Sequence, residues 1–146
     1  MNYSDVYKNI DTRTIEETKQ LIKNGFWKKN ITEEARIDLC KTWLKGVSYI
    51  YKVNIPEFQF SSSEASYRRT GGGIYEIQLE TITLFKKFSL VTLLHEFRHH
   101  LQHVKKIKMY KDHKEEDARA WSVSLFKLSS PNSYKKSVEN GTLHFN

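Results

Sequence analysis

The chain is expected to fold as one α+β domain, and three observations predict it. Several long stretches carry apolar residues three and four apart, the period of a helix with one buried face. Two short stretches, around Phe58 and Phe60 and from Ile74 to Leu79, alternate apolar with polar residues as half-buried strands do. The 146 residues show no internal repeat, low-complexity tract or Pro/Gly-rich linker, so they are read as a single domain with a core over about 31–128 and a tail over 129–146. N-terminal helices come first. A small, mostly antiparallel sheet with an exposed edge strand follows, and then two further helices.

The first helix is placed at residues 15–24, with Thr14 and Glu17 as a capping box and Gly25 at its stop. A longer second helix starts after Thr32, turns Ala35, Leu39, Trp43, Leu44, Val47 and Ile50 toward the core, and ends before Pro56. Phe58 and Phe60 mark a strand. Ser61-Ser62-Ser63 and Gly71-Gly72-Gly73, which flank Tyr67-Arg68-Arg69, are loop or turn material, and the glycines would act as a flap or leave room beside a cleft. Residues 74–79 form the expected edge strand, with Tyr75, Ile77 and Leu79 on one side and Glu76 and Gln78 on the other. Residues 81–85 continue it or form a second strand. Ser89 caps a helix whose apolar stripe is Leu90, Leu94, Phe97, Leu101 and Val104. A last helix covers residues 114–128, capped by Asp112 and ended by Ser129-Ser130-Pro131. An Asn140-Gly141 turn lies in the tail.

The most informative residues are His95-Glu96-Phe97-Arg98-His99. Positions four apart lie one turn apart on the same helix face, so His95 and His99 can bring both imidazoles to one metal ion. Glu96 stands about 100° around the helix from His95, where it can take a proton from an activated water without itself ligating the metal. The apolar stripe faces the other way and can anchor the helix. Catalytic zinc takes three protein ligands and leaves one position open. Glu115, at the start of the last helix, is the best third ligand and Glu116 its rival. Ala118 and Ser122 share the face of Glu115, and their small side chains would let the two helices approach closely. A capping role for Glu115 with Asp112 is the structural alternative. His103 lies a further turn of ~5.4 Å along and is set aside as a ligand, as are His100 and His144. Tyr110, His113, His103, Arg98 and Arg119 are the candidates to stabilise an oxyanion.

The formal net charge of +7 and a sequence pI near 9.4 favour acidic partners, nucleic acid among them. The basic residues are dispersed, however, and the densest cluster, Lys105-Lys106-Ile107-Lys108, also reads as a solvated helix end. No apolar stretch approaches the ~18 residues that span a bilayer, the N-terminus lacks the layout of a secretory signal, and the lone Cys40 fits a reducing compartment. A cytoplasmic location without membrane attachment is the expectation. The oligomeric state is left open.

These residues resemble a known family. The run Thr92-Leu93-Leu94-His95-Glu96-Phe97-Arg98-His99, the preceding Ile77-Gln78-Leu79, and the following Glu115, Ala118, Trp121 and Ser122 are similar to the HExxH zincin metallopeptidases with a downstream glutamate ligand. The ImmA/IrrE type of small cytoplasmic gluzincins is nearest. The resemblance spans roughly residues 58–126. It departs at Arg98, where a small residue is usual, and at Trp121, where phenylalanine is, and Lys105 stands where a metzincin would have its third histidine. It implies that His95, His99 and Glu115 hold one Zn2+ per chain, that Glu96 is the general base, and that residues 74–79 pair with an extended substrate. The function it implies is hydrolysis of peptide bonds in a protein or peptide substrate. The alternatives are a non-catalytic zincin-fold binding protein and a small basic DNA-binding or DNA-associated protein.

Overall fold

The structure is a computed structural model that describes residues 2–62 and 72–143. After a 3-10 turn at Tyr3–Asp5 come α1 (Thr12–Lys23), α2 (Glu33–Tyr51), β1 (Glu57–Ser61), β2 (Gly73–Glu76) and β3 (Thr81–Phe85). They are followed by α3 (Leu90–Lys105), a 3-10 turn at Tyr110–Asp112, α4 (Lys114–Ser129) and α5 (Pro131–Glu139). The fold is α+β. No helix among the described residues is long and apolar enough to cross a membrane.

Local chemistry explains the helix ends. The side chain of Asp11 accepts from the Arg13 amide and starts α1. Thr14, expected as a cap, lies within the helix, where its hydroxyl donates to the Tyr51 oxygen at 3.0 Å. Aspartate is at least as good a cap as threonine, so the start moves upstream to it. Ser89 caps α3, as expected, and Thr32, after which the second helix was expected to start, caps α2. Helix α4 is capped by His113, whose Nδ1 accepts from the Glu116 amide at 3.3 Å, and not by Asp112. Asp112 sits at φ 49° inside the preceding turn, which removes it from the extended conformation that a cap needs. Helices α2 and α3 end on Lys52 and Lys106, both left-handed, with no glycine to mark the stop. The expected tail also folds. Pro131 occupies the first turn of α5, a position that lacks a hydrogen-bond partner for its nitrogen in any case. Tyr134 of α5 packs edge-on against Phe126.

The sheet has the order β1-β3-β2, with β3 in the middle and buried throughout. The consecutive strands β2 and β3 pair antiparallel, Ile74 opposite Thr83, whereas β1 lies parallel to β3, Phe58 opposite Ile82. The sheet is therefore mixed where mostly antiparallel pairing was expected. Alternation of apolar residues defines a strand's faces but not its neighbour, and β1 skips β2 in favour of β3. Strand β2 is an edge, as expected, but stops at Glu76. Residues 77–80 turn, and Ile77 and Leu79 are exposed instead of continuing the strand.

The core fills the space between the sheet, α2, α3 and α4. Trp43, Leu84, Leu94, Phe97, Leu101 and Leu125 are among its fully buried side chains. Helix α3 is its axis. Trp43 meets Phe97 at 5.3 Å between ring centroids, and Trp121 meets the same ring at 6.2 Å. Almost every residue of α3 from Leu90 to Leu101 is buried, so its polar side is covered as well as its apolar stripe. That burial makes the few polar groups on α3 informative.

Candidate metal centre

Helix α3 presents His95 and His99 one turn apart, and the first turn of α4 brings Glu115 against them. The Nε2 atoms of the two histidines are 3.2 Å apart. Glu115 reaches both, with one oxygen 2.9 Å from Nε2 of His99 and the other 3.3 Å from Nε2 of His95. Nitrogen and oxygen donors about 2.0–2.1 Å from one tetrahedral ion lie roughly 3.3 Å from each other. The separation of the two imidazole nitrogens is close to such an edge, and the carboxylate straddles them with one oxygen toward each. This group could hold a metal ion.

The approach of α4 that makes this possible depends on small residues. Ala118 and Ser122, on the face of Glu115, are fully buried. Glu116 leaves in another direction and accepts from the Tyr3 hydroxyl at 2.5 Å, which separates it from the trio.

A network behind the trio fixes its orientation. Gln102 donates from its amide nitrogen to the Lys114 carbonyl at 3.0 Å and to Asp117 at 2.8 Å. Its amide oxygen is thereby turned to His99, and Nδ1 of His99 donates to it at 2.8 Å. With the proton held on Nδ1, the lone pair of His99 lies on Nε2, the atom that faces His95 and Glu115. Asp117 is fully buried and receives Arg98 at 2.8 and 3.2 Å, the Tyr110 amide at 2.9 Å and the hydroxyl of Tyr7. A buried carboxylate is tolerated because its lone pairs are met by donors and its charge by a cation. Burial alone would raise its pKa, and the hydrogen bonds from Arg98 and Tyr7 more than reverse this and hold it low. Arg98, the residue that departs from the zincin pattern, is the partner of this second acid on α4.

Glu96 is buried beside the trio, and burial raises its pKa above the usual carboxylate range. Glu115 is held below that range by hydrogen bonds to His95 and His99. For His99, burial pulls the pKa down, but the bonds to Glu115 and Gln102 outweigh it and the net direction is up. Strand β2 passes directly over Glu96. A Cβ on Gly73 would fall 2.8 Å from Leu84 Cδ2 and Thr92 Cγ2 and 3.2 Å from Glu96 Cγ, so no larger residue fits without a shift. Of the glycine triplet, Gly73 is therefore a close-approach position in a strand, and Gly72 adopts φ 108° before it. Gly71, Ser63 and Tyr67-Arg68-Arg69 lie outside the described residues, as does His144.

The trio and Glu96 line a cleft of about 520 Å³ open to solvent, walled by β2 and Ile77 on one side and by Lys114 and Arg119 of α4 on the other. Of the proposed oxyanion partners, only His103 and Arg119 line it. His103 stands 3.4 Å from Glu80. Arg98 is committed to Asp117, the Tyr110 amide to the same carboxylate, and His113 to the helix cap. His100 is buried within the core, where it donates from Nε2 to the Asn54 carbonyl and accepts from Tyr75 at Nδ1, both at 2.8 Å.

Sequence reasoning assembled the trio and Glu96 but missed Asp117, Gln102, Tyr7 and the reason for Gly73. For Asp117 a signal existed in the acidic run 115–117, whose third member points a different way around the helix from the first. For Tyr7 there was none. No protein-family model, curated protein or solved structure matches this chain.

Proposed function

We propose that the protein is a zinc-dependent metallopeptidase that hydrolyses peptide bonds in a protein or peptide substrate. The observation that carries this reading is the convergence of His95, His99, Glu115 and the buried Glu96 on one solvent-open cleft. Structural zinc sites are closed by four protein ligands, whereas catalytic sites use three and leave a side free. Here three donors meet, and the side chain of Glu115 is still 52% exposed. The two-imidazole, one-carboxylate set suits zinc among the available divalent ions.

A zinc ion in this trio would supply Lewis acidity, acidifying water and polarising a carbonyl. Glu96 would act as general base. Its carboxylate takes the proton of the attacking water and passes it to the leaving amine, and its burial brings its proton affinity closer to working pH. Gln102 would hold His99 in the tautomer that presents Nε2. Strand β2, with one edge unpaired among the described residues, would align an extended peptide by main-chain hydrogen bonds. The reading places the enzyme in the cytoplasm.

The test compares zinc-loaded wild type with Glu96→Gln on a proteome-derived peptide mixture, with new termini identified by mass spectrometry. We expect termini that need both zinc and Glu96. Equal cleavage by both proteins, or none that depends on either, overturns the reading. Generic substrates such as casein are a poor choice, because small peptidases of this layout can be selective.

A further inference from the structure

The two walls of the cleft differ in chemistry. On the β2 side Ile74 and Ile77 are 40% and 42% exposed, and both line the cleft. On the α4 side stand Lys114 and Arg119. Arg119 lies one turn beyond Glu115, so it flanks the trio on the same helix face. Its Nε is buried and has no hydrogen-bond partner, while the rest of the guanidinium hydrogen-bonds the Tyr3 hydroxyl and lies near the Glu116 carboxylate. A buried guanidinium nitrogen without an acceptor is costly unless a ligand supplies one. The connection from α3 to α4, residues 106–113, carries three lysines against the single acid Asp112. The chain as a whole carries +7.

We propose that the cleft takes a peptide segment that sets an apolar side chain against Ile74 and Ile77 and a carboxylate against Arg119 and Lys114. A guanidinium can hold a carboxylate through two parallel hydrogen bonds, which gives direction as well as attraction. Lys114 adds charge without that geometry. This inference deepens the peptidase reading by naming the class of segment it would act on, yet recognition itself needs neither metal nor turnover.

Binding tests it separately. The full chain, carrying Glu96→Gln so that no peptide is cut, is titrated with end-capped hexapeptides. These are alanine apart from one isoleucine and one glutamate at varied spacing, each paired with a glutamine twin. Affinity is read by calorimetry, and the Arg119 Nε–H signal is followed by nitrogen-15 NMR. We expect one spacing to bind at least about fivefold more tightly than its glutamine twin and to shift that signal, in line with a charge-assisted hydrogen bond. Arg119→Gln should erase the difference and Arg119→Lys should keep part of it, while circular dichroism shows both variants folded. Equal binding of the glutamate and glutamine peptides, a preference that survives Arg119→Gln, or no binding of any peptide overturns the inference. Each of these outcomes leaves the Glu96-dependent cleavage test unaffected.

Discussion

Glu115 and Asp117 are two residues apart on the first turns of α4, and they live in opposite conditions. Both face α3 and both meet nitrogen-bearing side chains from it. Asp117 is fully buried, and its lone pairs are filled by Arg98, Gln102, Tyr7 and the Tyr110 amide. Glu115 is half exposed and faces Nε2 of two histidines across the solvent-open cleft. The first is a closed account in which every donor has an acceptor, and it holds the helices together. The second leaves coordination capacity turned to solvent. A carboxylate near basic side chains is therefore informative about function only after its partners are counted.

Removing the closed pair should have the largest effect. Asp117→Ala would leave Arg98 buried without a counter-charge, and we expect a loss of about 3–5 kcal/mol in urea denaturation. A loss below about 1 kcal/mol would show that the pair does not hold α3 to α4. Gly73→Ala should come next, at roughly 1–3 kcal/mol, because the added carbon collides with Leu84 and Thr92 at the start of α3. Unchanged stability there would mean that β2 yields easily.

The link between the two acids is Gln102. We expect Gln102→Ala to weaken metal binding by roughly 10- to 100-fold, read by competition with a zinc chelator, because His99 loses the acceptor that fixes its tautomer. Affinity equal to wild type would cut the open site off from the closed one. Glu115→Gln should alter stability by less than about 1 kcal/mol, since its side chain is half exposed, while reducing metal affinity. A penalty comparable with that of Asp117→Ala would erase the contrast.

The smallest effect concerns Cys40, in the closed core. Burial pushes its thiol up to about 12, so iodoacetamide near pH 8 should leave the native chain unmodified and label it once unfolded. The neutral thiol contributes to stability below its unfolded pKa of about 8.5, and that contribution is lost as pH rises toward 12. Rapid labelling of native protein would show that α2 opens easily.

Local signals carried much of this architecture. The i, i+4 histidines, the Ser89 and Thr32 caps and the small residues Ala118 and Ser122 act within one or two turns, and the sequence shows them directly. Glu115 was reachable because a third ligand had to come from outside α3. The Arg98–Asp117 pair was not, since an arginine inside a motif helix reads as solvated until another helix buries it. Tyr7, more than 90 residues before Arg98, reaches the pair only through the folded chain. The parallel pairing of β1 with β3 and the folding of residues 131–139 onto α4 are likewise long-range, although Pro131 at a helix start was a local sign of the latter.

The proposed peptidase activity requires that His95, His99 and Glu115 form a metal centre. Its most direct test is metal content by elemental analysis on chain purified without added metal or a histidine tag, in wild type, His99→Ala and Glu115→Ala. About one zinc per chain is expected in wild type, none in His99→Ala and a reduced content in Glu115→Ala. Wild type that holds no metal even after incubation with zinc would contradict it.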